Sequence, residues 1–341
     1  MRGKQIVFTE PNRVELQDFE FDAANLAPDE IAIETHYSLI SAGTELACLR
    51  GKESWAKLPF TPGYAACGEV IATGNGVQTV SRGDFVFAYT KHASHAKTNR
   101  LYARVPEGLD GKLAVFARMA AVSITALRVS DAELGDYVAV LGLGLVGNLA
   151  AQLFTLSGCE VIGIDLSPKR VELARRCGVK YAVNASAEDV AAAVERITEG
   201  RMCEVVVEAS GNPAAAETAA SLAGKLGEVV LVGSPRDALV RDITPLLQMI
   251  HLWKHGCVTF KGAHEWRYPV KPDAGGHAKH SIQRNIEILL RLIAERRLRV
   301  EELLTHVLSP EECVAAYEGL DRKRDEYIGV VFDWGKVKES R

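Results

Sequence analysis

The sequence predicts an α/β protein with a doubly wound parallel sheet, joined to a second region built mainly from short strands. Residues 137–165 have the order strand, glycine turn, helix, strand and acid, and strands alternate with helices from there to residue 262. Residues 1 to about 115 carry short apolar runs punctuated by glycines, as a compact β region requires. Because 341 residues are long for one core, two domains are expected.

The segment YVAVLGLGLVGNLAAQLFTLSGCEVIGID at 137–165 has the pattern of a dinucleotide-binding turn. Its first glycine allows a tight turn, the second lets the backbone approach a pyrophosphate, and the third lets helix and strand pack closely. The helix N-terminus offers N–H groups to the phosphates, and the final acid can accept hydrogen bonds from ribose hydroxyls. A glycine-rich turn can be purely structural, but here all the flanking elements are in register. The predicted contacts in this segment are Gly142, Gly144, Leu145, Val146, Gly147 and Asp165.

Composition and charge exclude several classes of function. The chain is 48% apolar and 25% charged, and its net charge of −4 argues against a surface that binds nucleic acid. No apolar run approaches the ~18 residues of a membrane span, and the N-terminus lacks the apolar core of a signal peptide. The seven cysteines form no CxxC pair, which favours free thiols in a reducing cytosol. We therefore expect a cytoplasmic protein that acts on a small molecule.

The elements of the two regions follow from apolar spacing and from start and stop signals. Residues 113–134 carry apolar side chains at helical spacing and are interpreted as a helix that connects the regions. Ser167 as N-cap, Pro168 at the first helical position and Gly178 after the last predict one helix of the second region. The remaining predictions are strands at 6–8, 14–16, 31–35, 181–183, 204–208, 227–233 and 258–262, a short helix after Thr44, and helices at 187–198 and 214–222.

The last part of the chain leaves this alternation. Amphipathic helices are predicted at 281–296 and 310–320, and a final strand at 327–332. Because these elements do not extend the parallel sheet in an obvious way, we infer that the chain returns to its first domain.

Several motifs together resemble the medium-chain dehydrogenase/reductase superfamily over nearly the whole chain. They are SLISAGTEL at 38–46, LPFTPGYAACGEVIATG at 58–74, RGDFVF at 82–87, LGLGLVG at 141–147 and LLTHVLSPEECVAAYE at 303–318. The resemblance implies a GroES-like catalytic domain at 1–122 and 265–341, and a Rossmann dinucleotide-binding domain at 123–264. The SxISAGTE form and FKGAHEWR at 260–267 resemble a less typical branch, which includes bacteriochlorophyllide hydroxyethyl dehydrogenases and sugar- or polyol-type dehydrogenases.

The positions that hold zinc in the family's alcohol dehydrogenases carry other residues here. Ala42 stands where the family has a cysteine ligand, Tyr64 and Ala65 stand where it has a His-Glu pair, and residues 114–125 contain no Cys, His, Asp or Glu. The stretch after Asp84 lacks the cysteines of a structural zinc lobe. Since zinc needs three or four N, S or O ligands, we expect no catalytic and no structural zinc.

Without zinc, a side chain must move the proton that accompanies hydride transfer. Tyr64 is the first candidate, with a packing aromatic as the alternative, and Glu45 follows the same turn but is structural in many relatives. His92, His95 and Lys97 belong to a loop that the family places beside its cleft, and the two histidines have no third partner that would make a metal site. His264 follows the last strand and could face substrate or a partner subunit. Arg118, in the connecting helix, could clamp a carboxylate or pair with an acid.

The cofactor is expected to be NAD(H), because the Asp165 carboxylate would repel the 2′-phosphate of NADP(H). Arg170 is expected over the adenine side. The carboxyl ends of two strands add further candidate contacts, because such ends line the ligand crevice of an open α/β sheet. The resemblance adds a position on the connecting helix that packs near the nicotinamide. These further candidates are Ala209, Ser210, Gly211, Gly233, Ser234 and Thr125.

The sequence is compatible with three hypotheses about the function of the whole protein. The first is a zinc-independent, NAD-dependent dehydrogenase of a secondary hydroxyl in a polyol, sugar or glycoside. The second is an NADPH-dependent quinone or enone reductase, against which Asp165 counts, and the third is a non-catalytic NAD(H)-binding protein. The resemblance also suggests a homodimer, or a tetramer of dimers, formed through the strand at 258–262, since an apolar edge strand favours coverage.

Overall fold

A computed structural model describes residues 1–273, 275 and 277–337 of the chain. The chain forms two compact units. Unit 1 contains Met1–Arg118, Tyr268–Arg296 and the chain from Leu303 onward, and unit 2 contains Met119–Arg267 and Arg297–Glu302. The predicted boundaries, after 122 and after 264, lie a few residues from these, and the short return of 297–302 to unit 2 was not predicted.

Fifteen strands and ten α-helices are assigned within the described part of the chain. The strands are β1 (Arg2–Glu10), β2 (Arg13–Glu20), β3 (Ile31–Leu39), β4 (Ala66–Thr73), β5 (Phe85–Ala88), β6 (His95–Thr98), β7 (Tyr102–Arg104), β8 (Tyr137–Leu141), β9 (Glu160–Asp165), β10 (Tyr181–Asn184), β11 (Cys203–Glu208), β12 (Ala223–Leu231), β13 (Thr259–Gly262), β14 (Leu304–Leu308) and β15 (Gly329–Asp333). The helices are α1 (Ala42–Leu49), α2 (Gly111–Ala114), α3 (Ala117–Val129), α4 (Leu145–Leu156), α5 (Pro168–Arg176), α6 (Val190–Ile197), α7 (Ala215–Leu222), α8 (Thr244–His251), α9 (Ile282–Ala294) and α10 (Cys313–Arg322).

Unit 2 is the predicted parallel sheet with helices on both faces. Its six strands have the order β10-β9-β8-β11-β12-β13, and every neighbouring pair is parallel. Two apolar clusters form its core, one containing Val138, Val140 and Phe154 and the other containing Ala139, Ile162 and Val206. Alternate residues of β8 thus enter different clusters, as a strand buried on both faces requires. The predicted fold class is confirmed.

Helix α5 shows how local signals set an element of this unit. The Ser167 side chain accepts a hydrogen bond from the Arg170 N–H, and Pro168 occupies the first turn. Gly178, with φ of +97°, follows the end of the helix in the left-handed region that glycine favours. The start and end predicted from the sequence are confirmed.

Unit 1 contains a two-stranded sheet of β1 and β2 and a seven-stranded sheet ordered β14-β15-β3-β4-β5-β7, with β6 also paired to β3. Strand β15 joins β3 in antiparallel register, with Val331 opposite Leu39. The C-terminal segment is therefore part of the first domain's sheet, as predicted. Pro310–Glu312 and α10 replace the single helix expected at 310–320.

Three further features differ from the sequence predictions. The single helix expected at 113–134 was wrong: α2 ends at Ala114, α3 begins at Ala117, and α3 ends at Val129. Leu134, the last residue of the predicted helix, lies in the following turn with 84% of its surface exposed. Helix α8 and strand β14 were not predicted. Within the described residues, no helix is both long and apolar enough to cross a bilayer.

Candidate functional site

The glycine turn between β8 and α4 combines two crowded positions with one open position. Gly142 has φ of +89°, and a Cβ there would lie 3.0 Å from the Ser210 nitrogen. A Cβ on Gly147 would lie 1.8 Å from the Gly142 carbonyl oxygen, so only glycine fits. Among the described residues, a Cβ on Gly144 would meet only Arg170 Nη1, at 3.9 Å. The first and third glycines therefore build the turn, while the second leaves its backbone open to a ligand.

The start of helix α4 has the properties of a phosphate site. Gly144 is its N-cap residue, and no side chain of the described residues caps the helix there. Leu145 and Val146 form its first turn, and the Val146 carbonyl accepts a hydrogen bond of 2.8 Å from the Ser123 hydroxyl. The helix start is thus anchored on α3, while its N–H groups and dipole favour an anion.

Asp165 closes the same turn from the end of β9. Its Oδ2 accepts a hydrogen bond of 2.7 Å from the Leu143 N–H, and its Oδ1 accepts one of 2.8 Å from the Ser167 N–H. Arg170 Nη1 lies 3.8 Å from Oδ2. The carboxylate is therefore held in one orientation, and its remaining lone pairs can accept from ribose hydroxyls.

The loops after β11 and β12 are organised by Glu208, which the sequence analysis missed. This carboxylate is 3% exposed and accepts hydrogen bonds from the Ser210 N–H at 2.7 Å and the Gly211 N–H at 3.1 Å, as well as from the Ser210 hydroxyl. A Cβ on Gly233 would lie 2.9 Å from its Oε2. The sequence signal for this role was the position of Glu208, an acid at the end of the apolar run EVVVE.

The other predicted cofactor contacts of unit 2 fall into two groups. Ala209, whose N–H donates to the Leu141 carbonyl at 2.9 Å, lies with Ser210, Gly233 and Ser234 at the carboxyl ends of β11 and β12. The structure therefore brings this set together beside the glycine turn. Thr125 is fully buried and donates to the Ala121 carbonyl at 3.0 Å, so its hydroxyl is engaged within its own helix.

In unit 1, Tyr64 belongs to a stack of three side chains. The guanidinium carbon of Arg118 lies 4.6 Å from the centroid of the Tyr64 ring and 4.6 Å from that of Tyr89. The pKa of the partly buried Tyr64 phenol is raised, because burial and the charge of Glu45 outweigh the lowering by the Arg118 charge and by hydrogen bonds with Ser41 and Thr44. A phenol that stands beside a fixed positive charge is suited to proton transfer.

Glu45 and His92 lie in a neighbouring, buried hydrogen-bond network. Glu45 Oε2 is 3.0 Å from His92 Nε2 and accepts a hydrogen bond of 2.5 Å from the Tyr317 hydroxyl, while Oε1 accepts from the Ser41 N–H at 2.7 Å. His92 Nδ1 is 2.8 Å from the Ser38 hydroxyl. Burial and the neighbouring carboxylate raise the pKa of Tyr317 well above its usual range, so the phenol stays protonated as a donor. The geometry supports a structural role for Glu45 and His92, the alternative considered for Glu45.

His95 and Lys97 lie elsewhere in unit 1, on strand β6. The His95 ring lies 5.4 Å from that of Phe21, and burial lowers the pKa of the imidazole. The Lys97 ammonium donates to the Asn25 carbonyl at 2.6 Å. In the pairing of β6 with β3, His95 lies opposite Glu34. The extended chain from Glu34 to Ser41, just after β3, spans roughly 20 Å.

The structure therefore does not unite the predicted catalytic set. His95 and Lys97 were expected beside the same cleft as Tyr64, and β6 instead places them against the end of β2. His264 is an exposed residue of unit 2, in the turn after β13. Tyr64 is the predicted candidate whose ring lies against a cation, Arg118.

The residues that the sequence resemblance assigns to zinc positions are poor donors for a metal. Ala42 and Ala65 have no donor atom, and Tyr64 faces a guanidinium, whose positive charge would repel a cation. The nearby Cys67 thiol is buried, and burial raises its pKa well above the usual range, which disfavours the thiolate. Within the described residues, no group of three or more His, Cys, Asp or Glu side chains is arranged to hold a metal ion.

Comparison with known proteins covers both units. A family model for the alcohol dehydrogenase GroES-like domain matches residues 27–131, and one for a zinc-binding dehydrogenase matches residues 146–268. The chain is 28% identical to the D-guloside 3-dehydrogenase of Escherichia coli (strain K12) over 244 residues, which cover 63% of this chain and 69% of that protein.

Solved structures share the fold over nearly the full length. Galactitol-1-phosphate dehydrogenase from Escherichia coli matches with a TM-score of 0.82 and 20% identity, covering 97% of this chain and 99% of that one. A protein from Sinorhizobium meliloti 1021, solved with NADP bound, matches with a TM-score of 0.79 and 19% identity, covering 98% and 99%. At these sequence identities the structural similarity establishes the fold alone.

Proposed function

Because the chain belongs to the medium-chain dehydrogenase/reductase superfamily, we propose that it is a zinc-independent oxidoreductase. It transfers a hydride between NAD(H) and a secondary alcohol or ketone of a sugar, polyol or glycoside. The observation that carries the proposal is the glycine turn of unit 2, open at Gly144 and closed by a fixed acid. The sugar-type substrate is supported by the similarity to D-guloside 3-dehydrogenase.

The coenzyme contacts are assigned to unit 2. Backbone N–H groups at the start of α4 hold the pyrophosphate, and Asp165 accepts from the adenosine ribose. Its negative charge disfavours a 2′-phosphate, which makes NAD(H) the preferred coenzyme, although a structural neighbour was solved with NADP. The bound nicotinamide supplies or accepts the hydride. Arg170, next to Gly144, is the cation on the adenine side.

Tyr64 is the proposed acid/base. In alcohol oxidation the substrate C–H bond breaks with its electron pair, and the hydroxyl proton passes to the Tyr64 phenolate. In ketone reduction the phenol returns that proton to the new alkoxide oxygen. This assignment rests on the place of Tyr64 beside Arg118, together with the buried hydrogen-bond partners of Glu45 and His92.

A turnover panel tests the proposal. Purified protein is incubated with glycosides, free sugars, polyols, simple alcohols, ketones, quinones and enones, and nicotinamide absorbance is followed with both coenzymes. We expect turnover of a polyhydroxylated secondary alcohol with NAD+. Turnover confined to NADPH with quinones or enones would replace the proposal by the reductase, and tight NAD(H) binding without turnover would replace it by a binding protein.

A homodimer, or a tetramer of dimers, is proposed from the edge of the unit 2 sheet. Strand β13 is an edge strand, and α8 and the residues around it expose apolar side chains. Among them are Val240, Ile243, Leu247, Ile250, Leu252 and Trp253. Sedimentation should show a dimer or larger species that Leu247→Glu dissociates, with Val314→Glu, at an exposed position on α10 of unit 1, as the control. A stable wild-type monomer at micromolar concentration would refute the assembly.

A reducing compartment is proposed from the cysteines. All seven are free thiols, and six of them are buried. Fractionation of cells that express the native protein should place it in the cytosol, and recovery from an oxidising compartment would contradict this.

A further inference from the structure

Arg118 occupies a position that is unfavourable for a cation. It is the second residue of α3, and the first turn of this fully described helix contains no acidic residue. A positive charge near a helix N-terminus opposes the helix dipole. Only 5% of the Arg118 surface is exposed, and burying a charge costs free energy unless the surroundings compensate.

Two tyrosine rings contribute to this compensation. The guanidinium carbon is equally close to the ring centroids of Tyr64 and Tyr89, at 4.6 Å from each. One ring precedes β4 and the other follows β5, so the stack joins three separate elements. A cation over an aromatic face is attracted to the ring, and the attraction is stronger when the pair is removed from water. An apolar side chain could fill the same space without the cost of a buried charge, so the charge itself is the feature to explain.

We propose that Arg118 is a positioning residue that holds the Tyr64 ring and keeps a permanent positive charge beside its phenol, so that Tyr64 can release and regain a proton during turnover. This inference rests on the proposed function, because it takes Tyr64 as the acid/base. A guanidinium suits the role, since it remains charged throughout the pH range of proteins and stacks flat on aromatic faces.

The charged groups around Tyr64 determine how the Arg118 charge changes the pKa of its phenol. Burial raises the pKa of the Tyr64 phenol, and the negative charge of Glu45 on α1 adds to that rise. Arg118 is the cation that opposes them, with help from hydrogen bonds to Ser41 and Thr44. His92 faces Glu45 from the other side, inside the buried hydrogen-bond network. Removal of the Arg118 charge therefore leaves burial and Glu45 to dominate, and the phenolate becomes harder to form.

Ultraviolet difference titration measures this directly. Tyrosinate absorbance is recorded against pH for the full-length protein and for Tyr64→Phe, and the difference isolates the titration of Tyr64. Because a neighbouring opposite charge changes a pKa by about 1–3, Arg118→Gln should move the midpoint upward by at least about one pH unit. Arg118→Lys, which keeps a charge, should remain closer to the wild type. Arg104→Met, which removes an exposed arginine paired with Asp84, is the matched control and should leave the midpoint unchanged.

Turnover gives the second readout. In alcohol oxidation the rising limb of the kcat profile should follow the Tyr64 midpoint. At a pH below that limb, Arg118→Gln should therefore be slower than the wild type by about tenfold for each pH unit that the midpoint moves. The rate should recover at higher pH, whereas a purely structural defect would lower it at every pH.

The experiments can refute the proposed function and the role of Arg118 independently. The titration needs no substrate, so a shifted midpoint in an inactive protein would overturn the proposed function and leave the role of Arg118 standing. An active Arg118→Gln protein with an unmoved midpoint would overturn the role of Arg118 alone. Arg118→Met serves as a second neutral variant if Gln fails to fold, and failure of both to fold would overturn the proposal in favour of a stability requirement.

Discussion

The glycine turn of unit 2 and the tyrosine–arginine stack of unit 1 are built in opposite ways. The turn takes its parts from residues 142–165, and its shape depends on where Cβ atoms are absent. The stack takes its parts from Tyr64, Tyr89 and Arg118, on three elements, and depends on which side chains are present. The proposed coenzyme site is therefore a local motif, whereas the proposed proton-transfer site is assembled from distant parts of the chain.

The largest effect is expected when Tyr64 loses its hydroxyl. Tyr64→Phe should lower kcat by about 10²–10⁴, because general acid/base catalysis contributes that much. Affinity for NADH should stay unchanged, since the coenzyme contacts belong to unit 2. Steady-state kinetics and coenzyme titration by fluorescence measure the two quantities.

The matched control for this variant is Tyr102→Phe, the same change at a partly buried tyrosine on β7. It should retain near wild-type turnover. Equal turnover in Tyr64→Phe and the wild type would remove Tyr64 from the chemistry and end the contrast between the two regions.

The next effect separates binding from folding inside the glycine turn. Gly144→Asp should weaken NADH binding by about 100-fold or more, because a carboxylate takes the open position and repels the pyrophosphate. Aspartate is also a favourable N-cap, so the variant should be as stable as the wild type. Calorimetry gives the affinity, and thermal unfolding gives the stability.

Gly147→Ala is the counterpart in the same turn. Its Cβ meets the Gly142 carbonyl, so the variant should lose about 2–4 kcal/mol of unfolding free energy. If Gly144→Asp instead lost stability and kept its affinity, the open glycine would have a structural role only.

A smaller effect is expected at the acid that closes the turn. Asp165→Asn keeps an acceptor for the Leu143 N–H but removes the charge that disfavours a 2′-phosphate. The ratio of the NADPH to the NADH dissociation constant should fall by about tenfold, a change of about 1.4 kcal/mol in discrimination. Paired titrations with the two coenzymes measure the ratio, and a wild-type preference for NADPH would contradict the NAD(H) assignment outright.

The contrast between a local turn and a stack formed by tertiary packing explains which features could be predicted from the sequence. The parallel sheet, the cap of α5 and the return of β15 follow from periodicity and turn chemistry that act over short stretches. In unit 2 the predicted residues lie together beside the glycine turn, but Glu208 was missed, because its contacts form only when the loops after β11 and β12 meet. In unit 1, no local pattern places Tyr89 against Arg118, or Tyr317 against Glu45, because each pair is formed by tertiary packing.

The smallest effect on turnover is expected in the buried hydrogen-bond network. Tyr317→Phe removes one donor to the buried Glu45 carboxylate and should cost about 1–3 kcal/mol of unfolding free energy. The kcat should change little, since this network is assigned a structural role. Chemical denaturation and steady-state rates distinguish the two, and a large loss of kcat at unchanged stability would return Glu45 to the catalytic set.

The central proposal is that side chains, rather than a zinc ion, move the proton in this oxidoreductase. It is tested most directly by measuring bound zinc and turnover in one preparation, before and after dialysis against a chelator. We expect far less than one zinc per chain, with NAD-dependent turnover unchanged by the chelator. One zinc per chain, with turnover lost on its removal and restored by its return, would contradict the claim.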